Sequence, residues 1–369
     1  MHIVFLTTLN PYDINCWSGT TRHMFQALSK KHRVTVIGHT TLAQASYYMA
    51  NNFREKNYLE NYNAVYGRLC TEQIKRMPQC DVIVFGDLYI VPFLEVDIPI
   101  VHISDVSFHT HETFSLQKRN KEQVESAEKM EREVFNKYTS FIYSSEWAKQ
   151  NTVDHYGIHP DKVHVVEFGA NIPTPNDFRT EIQTDICNLV FIGRNWQKKG
   201  GDKVLDTYKK LKAEGFPCTL TIIGSVPTDV DAVDENLTVI PFLDKSKPAH
   251  LTKLGNILKE AHFLVLPTDY DAFGIVFCEA SAYAVPSIAA NVGGVSQPIC
   301  EGKNGYLLPS DAAADDYAEK IKSVFGNKED YLKLRASSRR EFETRLNWDV
   351  WGEKVNKKLE ETVKKYNSK

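Results

Sequence analysis

HIVFLTTLNPYDINCWSGTTRHMFQALSKKHRVTVIG, residues 2–38, contains a strand pattern, a helix pattern and a second strand pattern in succession. The first and last segments, HIVFLT and RVTVIG, are largely apolar, and TTRHMFQALSKK between them is amphipathic. Apolar strands joined by amphipathic helices are typical of βαβ units, whose parallel sheet is covered on both faces. DVIVFG at 81–86 and IPIVHIS at 98–104 repeat the strand pattern. The first half is therefore predicted to be a doubly wound α/β domain.

The rest of the first half continues this alternation. Residues 112–136 are rich in charge and are predicted to form one long helix. TSFIYSS at 139–145 is predicted to be a strand. SSEWAKQNTVDHYG at 144–157 has the serine start and glycine stop expected of a helix. VHVVEFGAN at 163–171 is then the predicted last strand of the first domain.

A second β/α series follows a proline-containing segment, residues 170–186, that suits a linker. It runs from NLVFIGR at 188–194 to GYLLP at 305–309. A chain of 369 residues exceeds the size at which one hydrophobic core usually stops growing, so two domains are expected. Two Rossmann-like domains and a C-terminal helix that packs back on the first domain are predicted, over residues 1–170, 171–345 and 346–369. Trp348 and Trp351 are the expected apolar anchors of this tail.

Composition narrows the class of protein. The formal net charge of -3 argues against nucleic acid as the main partner, because proteins that follow phosphates usually carry a basic excess. No run approaches the roughly 20 apolar residues that a membrane helix needs, so any membrane contact is expected to be peripheral. The first residues resemble a buried strand rather than a signal peptide. Seven cysteines without a C-x-x-C pair indicate reduced thiols, and the expected location is the cytoplasm.

FIGRNWQKKGG, residues 191–201, places two cations after a strand. The strand pattern ends at Gly193, and Arg194 and Lys199 follow at the carboxyl end of the strand, where open α/β sheets bind ligands. An arginine fork and a lysine point charge suit a diphosphate. The alternative is an ordinary solvated basic loop.

DYDAFGIVFCE, residues 269–279, places two carboxylates on either side of a predicted helix start at Gly274. The free N–H groups of such a start attract phosphate. A helical path would separate Asp271 from Glu279 by roughly 12 Å. One acid can then accept hydrogen bonds from a sugar and the other from a ribose, with phosphates between them. An exposed helix acid is the alternative for Glu279, although its sequence neighbours are apolar or small.

These residues resemble the retaining glycosyltransferases of family 4, which have the GT-B fold of two Rossmann-like domains facing a central cleft. In that family a glutamate, seven intervening residues and a second glutamate stand where Asp271 and Glu279 stand here. The family motif G-R-x-x-x-x-K-G matches Arg194 and Lys199 at the same spacing. WSGTTRHMFQAL, residues 17–28, resembles the glycine-rich first loop of the family, with Ser18 in place of one glycine. NVGGVSQPICEGKNGYLLP, residues 291–309, resembles a further family motif.

The resemblance implies a role for each candidate residue. Arg194 and Lys199 would stabilise the leaving diphosphate, Asp271 would bind the donor sugar, and Glu279 would bind the ribose. Further donor contacts are expected at Ser18, Gly19, Gly193, Phe273, Gly274 and Ile275. Asp105 stands where the family usually has a catalytic histidine. The first domain would serve the acceptor and the second the donor.

The predicted reaction moves a hexosyl or N-acetylhexosaminyl group from a nucleoside diphosphate sugar to a hydroxyl acceptor, with retained configuration. UDP is the default base on family grounds. The acceptor is a saccharide, a lipid-linked or another hydroxyl compound in glycan or glycoconjugate synthesis. No cofactor and no metal are expected. A zinc site at His102, His109 and His111 is the disfavoured alternative, because zinc needs three or four ligands that converge. His109 and His111 alternate as on an extended segment, and His102 lies on the predicted strand.

Three rival functions stay open at this stage. A GT-B-like sugar-nucleotide epimerase would bind the same donor but need no acceptor. A non-catalytic transferase subunit is suggested by the aspartates at 271 and 105. A secreted solute-binding protein shares the bilobal plan but usually has a signal peptide. The charged residues of 112–136, with Lys118 among them, are expected to form a solvated face, with an acceptor or inner-membrane contact as the minority interpretation.

Overall fold

The computed structural model describes residues 1–41, 45, 58–85, 90–114, 119–175, 182–227 and 234–368. The chain divides into two compact units. The first unit contains Met1–Val166 and Trp351–Lys369, and the second unit contains Glu167–Val350. Each unit is built on one six-stranded sheet in which all strand pairs are parallel.

The sheet of the first unit has the strand order β2-β1-β3-β4-β5-β6. Its strands are β1 His2–Thr7, β2 Arg33–Gly38, β3 Val82–Phe85, β4 Ile100–Ser104, β5 Ser140–Tyr143 and β6 Val163–Val165. The strands β1, β4 and β5 are buried along their whole length, as their largely apolar sequences predict for a sheet covered on both faces. After β1 the chain adds β2 on one side of it, and it then adds β3 to β6 on the other side. The direction of winding therefore reverses between β1 and β3.

The described helices of the first unit are α1 Thr20–Ser29, α2 Tyr58–Lys75, α3 Phe108–Thr113, α4 Lys121–Lys137 and α5 Glu146–Tyr156. The predicted signals for α5 are confirmed, because the Ser145 side chain caps its start and Gly157 ends it with a φ of 68°. The prediction of one helix over 112–136 is wrong. A helix ends at Thr113, and a new one begins after Asn120, whose side chain accepts a hydrogen bond from the Gln123 N–H. Residues 115–118, including Lys118, lie outside the described residues.

The sheet of the second unit has the order β12-β11-β10-β7-β8-β9. Its strands are β7 Cys187–Ile192, β8 Cys218–Ile223, β9 Leu237–Ile240, β10 Phe263–Leu266, β11 Ser287–Ala290 and β12 Gly305–Leu308. Its helices among the described residues are α6 Gly201–Ala213, α7 Pro248–Glu260, α8 Ile275–Ala282, α9 Ala314–Phe325 and α10 Lys328–Thr344. This order is the doubly wound arrangement in which the winding reverses between the first and fourth strands, here β7 and β10.

The last helix, α11 Trp348–Asn367, returns the chain to the first unit. Trp351 is fully buried, and the Asn356 side chain lies 3.1 Å from the ring of His32. The Tyr366 hydroxyl donates a hydrogen bond to Asp97 at 2.7 Å. Gly352 packs against α1, where an added Cβ would make an ordinary contact with the Ala27 side chain at 3.5 Å.

The boundary between the units differs slightly from the predicted one at 170. Gly169 packs against the backbone of Asn347 and Trp348, and the Ala170 N–H donates to the Leu346 carbonyl. These contacts place residues 167–170 in the second unit. Part of the predicted linker, residues 176–181, lies outside the described residues.

Two expectations drawn from composition concern reduced thiols and membrane-spanning segments. All seven cysteines are free thiols, and five of them are buried. Within the described part of the chain, no helix combines the length and apolarity needed to span a bilayer.

Candidate active site

Two loops of the second unit meet where its winding reverses. Because β7 and β10 pair in parallel, their carboxyl ends lie side by side at one edge of the sheet. The loop after β7 contains Arg194 and Lys199, and the loop after β10 leads into α8. The Asp269 N–H and the Thr268 hydroxyl both donate to the Lys198 carbonyl, which ties the loops together. Open α/β sheets bind ligands at such an edge.

A buried tryptophan shapes the loop after β7. Trp196 packs edge-on against Phe191 at 5.4 Å, and its indole N–H donates to Asp202 at 2.6 Å. Gly201 gives the ring its space, because an added Cβ would lie 2.1 Å from the indole. Gly200 has a φ of +71° and faces the Pro267 carbonyl, where a Cβ would approach to 2.0 Å. The two glycines therefore allow the loop to close tightly against β10.

Lys199 and Asp271 form an ion pair at this edge. The lysine Nζ lies 2.6 Å from Asp271 Oδ2 and 3.4 Å from the Tyr270 carbonyl. About a quarter of the Lys199 side chain and a fifth of the Asp271 side chain stay exposed, at 25% and 20%. Gly193 lies under the lysine stem, since an added Cβ would meet Lys199 Cγ at 2.9 Å. The structure thus brings together three residues that the sequence predicted for one site.

Arg194 occupies a more open position. Its guanidinium lies over the ring of Phe242, 4.9 Å from the centroid, and the Phe242 side chain is itself exposed. An exposed arginine on an exposed aromatic ring is held by a weak cation–π contact of about 0.5–1 kcal/mol. The guanidinium can therefore turn toward an anion at small cost.

The helix start predicted at Gly274 is confirmed. Helix α8 begins at Ile275, and Gly274 precedes it with a φ of 88° and no side-chain cap. The neighbouring Phe273 is buried against Phe168 at 5.5 Å, which anchors the turn. An added Cβ on Gly274 would lie 2.4 Å from the Phe277 ring. The first N–H groups of α8 therefore have no side-chain cap, and such groups can bind phosphate.

A glycine pair holds the backbone of Asp271. The Gly294 N–H donates to the Asp271 carbonyl at 3.0 Å, and Gly293 adopts a φ of +54°. A Cβ on Gly293 would approach that carbonyl to 2.3 Å. The glycines of the 291–309 motif therefore fix the position of the acid.

Glu279 is 2% exposed and forms an ion pair with Lys245. Lys245 lies in the loop between β9 and α7, 34 residues away in sequence. A buried carboxylate requires a charge partner, and the lysine supplies one. Sequence reasoning identified Glu279 as buried in apolar surroundings but missed Lys245. The available signal was the lysine after PFLD, at the end of another strand of the same sheet.

In the first unit, the loop before α1 is strained. Trp17 and Ser18 have positive φ values of 47° and 57°, and Gly19 follows with a φ of 101°. Left-handed backbone costs about 1–2 kcal/mol for a residue with a side chain. Gly19 precedes α1 without a side-chain cap, so N–H groups of the first turn lack a capping side chain. The loop follows β1, next to the point where the winding of this sheet reverses.

Asp105 directly follows β4 and is partly exposed. The next helix, α3, is held in place on both sides. The Ser107 side chain caps it and donates to Asn151 in α5, while the Phe108 N–H donates to the carboxylate of Glu131 in α4. Glu131 is fully buried, and burial raises the pKa of its carboxyl to about 7. These contacts fix the backbone that follows Asp105.

The three histidines near Asp105 do not converge. His102 is fully buried on β4 among aromatic rings, 4.9 Å from Tyr138 and 5.5 Å from Tyr143. Burial lowers the pKa of His102 to about 3. His109 instead stacks on His155, with ring centroids 3.5 Å apart, and His111 is exposed.

Two family models match consecutive parts of the chain. The model described as Glycosyltransferase Family 4 matches residues 19–172, and the model described as Glycosyl transferases group 1 matches residues 175–341.

Curated relatives match about half of the chain. The D-inositol 3-phosphate glycosyltransferase of Geodermatophilus obscurus is 28% identical over 206 residues, which are 51% of this chain and 45% of that protein. The alpha-maltose-1-phosphate synthase of Mycolicibacterium smegmatis is 28% identical over 172 residues, 42% and 44% of the two chains. The chain spans about half the length of the curated relatives that it matches.

Solved structures match nearly the whole chain in fold. A glycosyltransferase from Rickettsia africae superposes with a TM-score of 0.70 at 15% identity, covering 98% of both chains. HepE of Anabaena in complex with UDP gives a TM-score of 0.65 at 13% identity, covering 98% and 100%. Together with the two doubly wound sheets and the two family models, these matches lead to one conclusion: the chain belongs to glycosyltransferase family 4 and has a GT-B fold of two Rossmann-like units.

Proposed function

We propose that the protein transfers a hexosyl or N-acetylhexosaminyl group from a nucleoside diphosphate sugar to a hydroxyl acceptor, with retained anomeric configuration. The observation that carries this proposal is the Lys199–Asp271 pair beside the uncapped start of α8, where the second sheet reverses its winding. A cation, an anion and free backbone N–H groups at one edge match the parts of such a donor.

In this proposal Arg194 and Lys199 stabilise the leaving group. The bond from the sugar C1 to the diphosphate breaks, the bond from C1 to the acceptor oxygen forms, and the departing phosphate oxygen takes the acceptor proton. Negative charge therefore grows on the diphosphate, where preorganised cations contribute most. The proposal assigns this role to side chains and the dipole of α8, and it requires no metal ion there.

Asp271 would accept hydrogen bonds from the donor sugar, and Glu279 from the ribose hydroxyls. The N–H groups of Phe273, Gly274 and Ile275 would bind phosphate and sugar oxygens, and Gly193 leaves space for the Lys199 stem. The two ion pairs of these acids place constraints on binding. Asp271 must share Lys199 with the diphosphate, and Lys245 must allow the ribose access to Glu279.

In this proposal the first unit contributes backbone N–H groups and one carboxylate to substrate binding. We assign phosphate binding to the backbone of Ser18 and Gly19, which have positive φ values and directly precede α1. Asp105 is assigned to a hydroxyl of the donor sugar or of the acceptor. Strained backbone is often retained at ligand sites, which supports the assignment of Ser18.

UDP is the proposed base of the donor. Support comes from the likeness to HepE of Anabaena, which was crystallised with UDP and with UDP-glucose. The proposed acceptor is a saccharide, a lipid-linked or another hydroxyl compound, used on the cytoplasmic side of the cell.

A thermal-shift screen tests the proposal. UDP, GDP, ADP and their common sugars would be added to the native protein and to Lys199→Ala, Glu279→Ala and the control Lys198→Ala. We expect one nucleotide series to raise the melting temperature, because a ligand that binds the folded state stabilises it by mass action. The shift should be lost in the first two variants and kept in the control. The absence of a shift with every nucleotide, in a folded sample, would contradict the donor site.

Turnover then separates the proposed transferase from its rivals. Consumption of the stabilising donor that depends on an added acceptor would support transfer. Conversion of the donor without an acceptor would favour an epimerase, and binding with no turnover would favour a non-catalytic subunit.

A further inference from the structure

Three side chains of the first unit converge at a site to which neither the proposed reaction nor the family comparison assigns a role. His109 lies on α3, Glu128 on α4 and His155 on α5. His109 Nδ1 lies 2.9 Å and His155 Nε2 lies 3.3 Å from the same oxygen of Glu128, Oε1. The three potential ligand atoms all lie within 4.8 Å of one another.

The donor set is one that transition metals prefer. Two imidazole nitrogens and one carboxylate oxygen suit Zn²⁺ and its neighbours, whereas Mg²⁺ and Ca²⁺ prefer all-oxygen sites. Ligands at about 2.0–2.1 Å around a tetrahedral ion are separated from one another by about 3.4 Å. The two nitrogen–oxygen distances already lie near this value. The two imidazole rings stack with centroids 3.5 Å apart and planes 18° apart, so closing the set around an ion also requires the rings to rotate until the plane of each contains the ion. The partly exposed side chains have room for this rotation.

The site is open on one side. The exposed fractions of the His109, Glu128 and His155 side chains are 35%, 23% and 25%. Solvent can therefore reach the cluster and supply a fourth ligand. We propose that His109, Glu128 and His155 bind one divalent transition-metal ion of the Zn²⁺ type, which links α3, α4 and α5.

One neighbouring cation opposes the ion. Arg132 Nη2 lies 3.4 Å from His155 Nε2, and its guanidinium lies over the Tyr156 ring at 5.1 Å. The ion must displace this contact with the imidazole. The arginine can keep its place on the tyrosine ring while its nitrogen moves away. Removing the charge of Arg132 should therefore strengthen metal binding. No such effect is expected if the two histidines only stack on each other and bind no metal.

The proposed ion would also restrain the backbone next to Asp105. Helix α3 begins three residues after Asp105, and its start is already tied to α4 through Glu131 and to α5 through Ser107. The His109 N–H also donates to the Tyr156 hydroxyl in α5 at 3.1 Å, and a metal at this first turn would add a further tie to the same two helices. The ion would thus restrict the backbone that follows Asp105, and it takes no part in the proposed transfer chemistry.

The test measures zinc binding directly on the full chain without an affinity tag. After treatment with a chelator, Zn²⁺ alone is titrated in competition with a chromophoric chelator. We expect one Zn²⁺ per chain in the native protein, with affinity weakened at least about tenfold in His109→Ala and in His155→Ala. His111→Ala, a histidine on the same helix but outside the cluster, should bind as the native protein does. Arg132→Gln should bind more tightly.

A second measurement does not depend on the variants. Co²⁺ in place of Zn²⁺ should give a visible spectrum typical of nitrogen and oxygen ligands, without the thiolate bands that Cys16 or Cys300 would produce. Failure of the native protein to bind one equivalent would overturn the proposal, as would binding that both histidine variants leave unchanged. A spectrum with thiolate bands would also overturn the proposal, because it would show that a cysteine binds the ion. Loss of the nucleotide shift described above would leave these outcomes unaffected, so the two proposals fail separately.

Discussion

The ammonium of Lys199 lies 2.6 Å from the carboxylate of Asp271, although 72 residues separate the two in sequence. The pair brings opposite charges to the edge where β7 and β10 end side by side. Without a ligand, each charge neutralises the other. A diphosphate that binds Lys199 therefore competes with Asp271, and the pairing of the two residues couples phosphate binding to the freedom of the acid.

Asp271→Asn should separate these two effects. UDP, which has no sugar for the acid to hold, should bind about fivefold more tightly, because a partly exposed ion pair is worth about 1 kcal/mol and the variant removes this competition. Turnover of the sugar donor should fall. Calorimetric titration with UDP and a steady-state assay give the two readouts. Asp269→Asn, two residues earlier and exposed, should change neither. Weaker UDP binding in Asp271→Asn would contradict the competition.

Lys245→Met should destabilise the second unit. The variant leaves Glu279, with 3% of its side chain exposed, as a buried charge without its lysine. Loss of one partner of a buried pair costs about 3 kcal/mol. Urea unfolding should show this decrease in the free energy of unfolding, and the added change Glu279→Gln should restore much of it. Lys247→Met, in the same loop but exposed, serves as the control. An unchanged unfolding midpoint in Lys245→Met would mean that the pair contributes nothing.

Ser18→Gly should stabilise the first unit by about 1 kcal/mol, because Ser18 adopts a left-handed φ of 57° that glycine tolerates without strain. Thermal or urea unfolding measures the gain. Gln26→Gly is a control of opposite sign. Gln26 lies inside α1 in an exposed position, where glycine costs about 0.5–1 kcal/mol. A destabilised Ser18→Gly would show that the side chain contributes more than the strain costs.

His102→Phe should flatten the pH dependence of stability. The native pKa of His102 is lowered by burial to about 3, below the value of about 6.5 in an unfolded chain. Between these values the unfolded state binds more protons, so stability falls as the pH decreases from about 6.5. At about pH 5 the loss attributable to His102 is about 2 kcal/mol.

The measurement for His102 compares unfolding free energies of the native protein and the variant at about pH 7 and about pH 5. Contributions of other titrating groups cancel in the difference between the two proteins. Within the described residues neither ring nitrogen of His102 has a hydrogen-bond partner, so the variant removes no such bond there. Equal pH dependence in both proteins would show that His102 keeps an ordinary pKa in the folded state.

The fold was largely predictable from local patterns. Apolar strands and amphipathic helices alternate along both halves, and the Ser145 and Gly157 signals mark the ends of α5 as predicted. The break between α3 and α4 was missed because the charge pattern continues through it. The signal was present in Asn120 and Gln123, which form a capping box three residues apart. A continuous polar pattern carries no information on where a helix stops.

The candidate site was predictable in part. Spacing identified Lys199, Asp271 and Glu279, because Lys199 and Asp271 lie in loops that follow strands and Glu279 lies in the helix that begins after Gly274. The partners of these residues were not predictable from spacing. Lys245 reaches Glu279 from a loop after a different strand, and Gly294 holds Asp271 from beyond α8. Such contacts depend on strand order, which a single sequence does not specify.

The return of α11 to the first unit affects the order in which the protein folds during synthesis. A ribosome completes residues 1–166 long before it makes Trp351, which is fully buried in the first unit, or Asn356 and Tyr366, which bond to it. The second unit, a continuous segment, can close as soon as it emerges. The unit made first should therefore be the last to reach its native core, and an arrested chain that ends before residue 351 should expose that core to proteases.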